Sequence, residues 1–205
     1  MEGQTSYVSV MRDGLFLEYR EKGSVNPERT AESTIRFTFT EELPGRFHIT
    51  IDTEVIEQHM YAVAYGEKIL VDENLLTAQG IPMQYGGLCP LLLEPSGRAP
   101  GAEVRWPWDG AGIQAVPTDP RERLYANGVL RGPIVWNAWD SLKLERTDAL
   151  ESSPMPVAYY HCESGILVGI EYGAEREDGL GRFIYCDTIL VSSNAEEILP
   201  GDGPR

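Results

Sequence analysis

Within four positions, His161, Cys162 and Ser164 place a base, a thiol and a hydroxyl in the stretch VAYYHCESGILVGIEYG, residues 157 to 173. With Asp187 as an orienting acid the set can be drawn as a hydrolase triad, in which the histidine takes a proton from the nucleophile. The local sequence argues otherwise. Glu163-Ser164-Gly165 separates two β-rich runs, with Gly165 suited to the left-handed position of a three-residue hairpin loop. Ser164 also lacks the strand-to-helix elbow that exposes a hydrolase serine. The stretch is therefore read as the tip of a hairpin, and no catalytic residue is assigned.

Other groups with ligating chemistry are scattered. Asp52 and Glu54 stand near His48 at two-residue spacing, and Glu57 and His59 repeat a smaller version. Hard oxygen ligands of this kind suit calcium, but neither an EF-hand loop nor an HExxH spacing accompanies them, so they are read as a solvated strand face with no metal. Cys89, Cys162 and Cys186 form an odd set with no CxxC spacing, which encodes neither a disulfide framework nor a zinc site. No glycine-rich phosphate loop, GxSxG or kinase signature is present, and no cofactor is implied.

Charge narrows the partners. The 205 residues carry 32 acidic and 17 basic side chains, with lysine only at positions 22, 68 and 143, for a formal net charge of -15. Phosphate backbones and anionic lipid surfaces are held by Lys/Arg clusters that this chain lacks, so nucleic acid is set aside as a partner. There is no apolar run approaching 18 residues and no charged-then-apolar leader at Met1, so no membrane span is expected. The chain is read as soluble as given, either cytoplasmic or exported with its leader removed, and the oligomeric state is left open.

The positioning elements follow from period-2 alternation. Ile35, Phe37 and Phe39 share one face of TIRFTFT, and Phe47, Ile49, Ile51 and Val55 one face of FHITIDTEV, with Pro44-Gly45 turning the pair into a hairpin. GLFLEYRE is a further strand, in which Leu15, Leu17 and Tyr19 alternate with Phe16, Glu18 and Arg20. MYAVAYGEKILV continues the pattern. Residues 157–162, 166–172 and 182–191 make an antiparallel meander, with Cys162 opposite Ile166 and Ile170 opposite Ile184. Asn194 and Glu197 resemble a capping box ahead of a short terminal helix.

The middle differs. From Pro82 to Pro133, both included, there are eight prolines, and all four tryptophans fall in or just beyond that stretch. Proline cannot donate to a ladder, so loops and edge strands laid over the sheet are expected there. The fold class is thus all-β: a large, curved antiparallel sheet or incomplete barrel, one domain over 1–205, with a Pro/Trp-rich covering segment at 80–140 and at most short helices.

The spacing of MPVAYYHCESGILVGIEYG and DTILVSSN resembles the ending of envelope β-proteins of the lipoprotein-carrier and related uncharacterised families, through Tyr159, Tyr160, Gly165, Ile166, Leu167, Ile170, Glu171 and Leu190. That resemblance implies a strongly curved sheet whose concave side holds acyl chains or a plug. The resulting expectation is a non-catalytic protein that binds an apolar or amphipathic small molecule on the concave face, with Phe37, Phe39, Trp106, Trp108, Trp136 and Trp139 as ligand-binding residues. The alternatives are a structural or assembly protein that offers sheet edges and an acidic surface to a protein partner, and a hydrolase with its site in a β-cleft.

Overall fold

Alternation in the sequence becomes alternation in burial. A computed structural model describes residues 10–26, 29–43, 46–58, 68–72, 81–83, 87–89, 91–93, 97–108, 124–147, 157–175 and 183–195. The strands are β1 (Phe16–Asn26), β2 (Arg29–Leu43), β3 (Arg46–Gln58), β4 (Lys68–Asp72), β5 (Ile81–Met83), β6 (Gly87–Cys89), β7 (Glu103–Trp108), β8 (Leu124–Trp136), β9 (Trp139–Arg146), β10 (Val157–His161), β11 (Leu167–Glu175) and β12 (Phe183–Ser193). Along β2, Ser33, Ile35, Phe37 and Phe39 are buried while Arg36 and Thr40 are exposed. No α-helix occurs among the described residues, and none of them belongs to a helix long and apolar enough to cross a membrane.

Ten strands form one antiparallel sheet in the order β4-β3-β2-β1-β12-β11-β10-β9-β8-β7, and β5 and β6 pair separately. The sheet is a meander of chain neighbours with one exception, the pairing of β1 with β12 at its middle. Asn194 seals that junction. Its Oδ1 accepts from the Phe16 N–H at 2.8 Å, its Nδ2 donates to the Gly14 carbonyl at 2.9 Å, and Arg12 donates to its own carbonyl. The sheet does not close, and β4 and β7 are its edges. Edge strand β7 carries exposed Glu103 and Arg105 together with Pro107, which has no N–H to offer an incoming strand.

β2 and β3 form the expected hairpin, in a register that pairs Phe39 with Ile49 and Phe37 with Ile51. Strands β10 and β11 hold the expected register from Val157↔Glu171 to Tyr159↔Gly169, then shift by one residue at Tyr160. Against β12 the register differs from expectation by four residues: Ile170 faces Thr188, not Ile184. Both strands continue further than the sequence suggests, which adds the rungs Gly173↔Tyr185, Ala174↔Ile184 and Glu175↔Phe183. A slip of four is even, so every side chain keeps its face. The segment 80–140 divides. Leu91, Leu92 and Leu93 are buried in the core, whereas 103–108 and 124–136 are strands of the sheet itself. The proposed terminal helix lies outside the described residues.

Candidate functional site on the core face

Following register partners across the sheet traces one continuous row on the core face: Leu130, Leu144, Ala158, Ile170, Thr188, Glu21 and Ser33. Every member is at most 2% exposed. The β8 to β11 half is wholly apolar, and the β12 to β2 half wholly polar. Thr188 donates its hydroxyl to Glu21 Oε1 at 3.2 Å. Burying a carboxyl group in an otherwise apolar face is unfavourable unless hydrogen bonds compensate, so its placement calls for a reason beyond packing. The sequence carried a signal for it: Glu21 continues the inward series Leu15, Leu17, Tyr19 at the same period.

Four residues along β11 from that row, the strap Leu91–Leu93 enters the core. Leu92 bridges Ile166 in antiparallel fashion, beyond Gly169↔Ile189, the last rung that β11 makes with β12. Two backbone bonds hold it, Leu93 N–H to the Gly165 carbonyl at 2.9 Å and Leu167 N–H to the Leu91 carbonyl at 3.0 Å. Arg98 adds a clasp, with Nε donating to the Leu93 carbonyl at 2.9 Å and Nη1 to the Glu163 carbonyl. Gly165 is required there. Its φ is +69°, and a Cβ would sit 2.3 Å from Arg98 Nε and 2.7 Å from the Leu93 carbonyl oxygen.

The strap's receptor is the tip that holds His161, Cys162 and Ser164. Ser164 N–H donates to His161 Nδ1 at 3.3 Å; a backbone N–H can only donate, so Nδ1 is an acceptor and the ring proton is on Nε2. Ser164 Oγ lies 3.0 Å from the same nitrogen and accepts the Ile166 N–H at 3.2 Å. This is turn geometry, with the hydroxyl buried and engaged on both sides. Asp187 is in the row of Val157 and Glu171, four residues along β10 from His161, or roughly 13 Å at strand rise. The drawn triad does not assemble. Burial first, then the charges of Asp140 and Glu163, pushes the Cys162 thiol up and away from the reactive thiolate. No group of three or more His, Cys, Asp or Glu residues among those described could hold a metal ion.

Of the six residues read as ligand-binding, four have described side chains, and these lie on two faces of the sheet. Phe37 and Phe39 are fully buried on the core face, where Phe37 meets Tyr19 edge to face at 5.8 Å and 71°, and the Tyr19 hydroxyl donates to the Leu167 carbonyl at 2.8 Å. Trp136 belongs to the opposite face. It stacks on Tyr159 at 4.5 Å and 8°, and on Trp139 at 6.2 Å and 19°. Both tryptophans flank the two-residue turn Asn137-Ala138, whose positive φ values of 46° and 71° suit a tight hairpin. A Cβ on Gly169 would lie 2.0 Å from Trp136 Cη2, so that glycine is a seat for the indole. Glu171 ties the cluster together by accepting from Trp136 Nε1 at 3.0 Å and from the Tyr159 hydroxyl at 2.7 Å. Burial and then this carboxylate push the Tyr159 phenol well above its ordinary value. Trp106 and Trp108 pair with Ala126 and Leu124 in β7, and their side chains lie outside the described residues.

Set against protein-family models, curated proteins and solved structures, the chain matches none. Function is therefore argued from the buried row.

Proposed function

We propose that the protein is a non-catalytic binder of an amphipathic molecule, held on the core face of its curved sheet. The supporting observation is the buried row, apolar from Leu130 to Ile170 and polar from Thr188 through Glu21 to Ser33. A molecule lying across the strands would set an alkyl chain on the first half and its head on the second. Glu21 makes the head selective: an amine or hydroxyl can donate to its carboxyl group, whereas a carboxylate head meets a like group and is disfavoured. The reading departs from the sequence expectation, since the proposed site includes neither the tryptophans nor Phe37 and Phe39, which are four and six residues along β2 from Ser33.

Native mass spectrometry with 1-dodecylamine, 1-dodecanol and dodecanoate, each below its micellar concentration, tests this. Amine and alcohol adducts are expected, with dodecanoate at least tenfold weaker, and Glu21→Gln should narrow that gap. If none of the three gives an adduct, the reading fails.

A further inference from the structure

The buried row is graded in exposure as well as divided by polarity. From Ser33 through Leu130 every member is at most 2% exposed, and past Leu130 burial gives way at the rim of the sheet. The Leu130 N–H donates to the Ala102 carbonyl at 3.0 Å, which makes Ala102 the next place in the row. Ala102 is half-buried against the core, and Gly101 beside it is exposed. The polar end of the row is thus interior, and the apolar end leads toward the rim. We infer that the row is a track of fixed length for one straight alkyl chain, whose ligands are single-chain amines and alcohols of up to about fifteen carbons, head inward and tail toward Ala102. This inference rests on the amphipath reading and deepens it by naming the substrate class.

Strand spacing sets the length. The row passes from register partner to register partner, and so crosses the strands at right angles, as the hydrogen bonds of antiparallel pairs do. From Thr188 on β12 to Leu130 on β8 there are four intervals, roughly 19 Å at about 4.8 Å each. A zigzag of carbon–carbon bonds about 1.5 Å long advances about 1.3 Å per atom, so about fifteen carbons fill that span. Each methylene laid on the track leaves water, which tightens binding about fourfold. One that passes Ala102 into solvent adds nothing. Of the four apolar side chains between Thr188 and the rim, Ala158 alone is smaller than leucine or isoleucine. It stands two intervals from Thr188, roughly 10 Å or about eight carbons along, where a larger side chain would stand in the path of the alkyl chain.

A homologous series supplies the test. Dissociation constants are measured by native mass spectrometry for 1-aminoalkanes from octyl to octadecyl, each below its micellar concentration. In the wild type they are expected to tighten about fourfold per added methylene up to about fifteen carbons, then to stay level. Ala158→Leu should bring that break back to about eight carbons, leaving octylamine unchanged and weakening dodecylamine at least tenfold. Ala158→Val, the milder change, should weaken dodecylamine by less. Affinity that climbs unbroken through octadecylamine, or dodecylamine binding that neither variant weakens, overturns the track and leaves the binding proposal standing. Should Ala158→Leu fail to fold, the wild-type series and Ala158→Val decide. No binding of any amine or of 1-dodecanol, in wild type and variants alike, overturns both.

Discussion

Strands β2 and β10 are each paired on both sides within one antiparallel sheet, yet they bury their side chains by different rules. In β2 the faces alternate: Ile35, Phe37 and Phe39 are inside, Arg36 and Thr40 outside, and Arg36 rests its guanidinium 3.9 Å from the centre of the Phe16 ring on the outer surface. In β10 both faces are covered. Ala158 and Tyr160 belong to the core, while Tyr159 and His161, on the other side, are only 6% and 8% exposed. The cover over Tyr159 is the Trp136 indole from the β8–β9 hairpin, and that over His161 is the tip it helps to build. A one-sided strand needs only the right period, whereas a two-sided one needs a second element folded over it.

The sharpest way to break this contrast is an alanine scan of both strands, read by urea denaturation. Phe37→Ala should lower stability by about 3–5 kcal/mol, the range for emptying a large aromatic site, and Thr40→Ala should stay within about 0.5 kcal/mol. On β10 the saw-tooth should vanish, with Tyr159→Ala and Tyr160→Ala each losing about 3 kcal/mol or more. A near-neutral Tyr159→Ala would mean that the outer cover contributes nothing.

The next effect probes the seat beneath the cover. Gly169→Ala drives a methyl group into the Trp136 ring, and also to within 2.6 Å of the Thr188 carbonyl oxygen. Overpacking of this kind is expected to lower stability by about 1–3 kcal/mol. Near-ultraviolet circular dichroism should register the loss of the stacked indole. In a Trp136→Ala background the same substitution should be partly relieved, though not abolished, since the backbone clash remains; full additivity would show that the indole is not seated there. Smaller still is Tyr159→Phe, which keeps the stack and removes one hydrogen bond to Glu171, for about 1 kcal/mol.

These outcomes bear on what could be read in advance. The all-β class and the inward set on β1 to β3 followed from period alone, because a half-wet strand must sort its side chains by polarity. Glu21 was on the readable face but is polar, so the same pattern that placed Tyr19 inward made it easy to pass over. Trp136 over Gly169 was not legible. It depends on β8 and β9 turning through Asn137-Ala138, with a register shift between Arg131 and Ile134, and on an indole reaching β11, three places away in the sheet. Sequence spacing does not report contacts of that range. The four-residue slip of β12 escaped for a related reason: both registers keep the same residues inside, so burial cannot distinguish them.

The two-sided region also predicts how stability responds to alkali, with the smallest effect coming first as pH rises. Cys162 is held above its ordinary value by burial and by Asp140 and Glu163, and Tyr159 by burial and Glu171; Tyr19, fully buried in the core, is raised by burial alone. For each acid the folded state favours the protonated form. Its contribution is therefore complete below the unfolded value, about 8.5 for thiols and 10 for phenols, and is lost as pH climbs from there toward the folded value. The urea midpoint should stay level to about pH 8, decline slightly over the next unit and more steeply above about 10. Cys162→Ser should flatten the first, shallow part alone, and Tyr159→Phe should soften the second. Tyr19 keeps the steep limb in both variants, because it lies on the core face shared with β2 and not beneath the outer cover. A midpoint that held constant to pH 10.5 would mean that water reaches these groups, and that β10 is wet on one side after all.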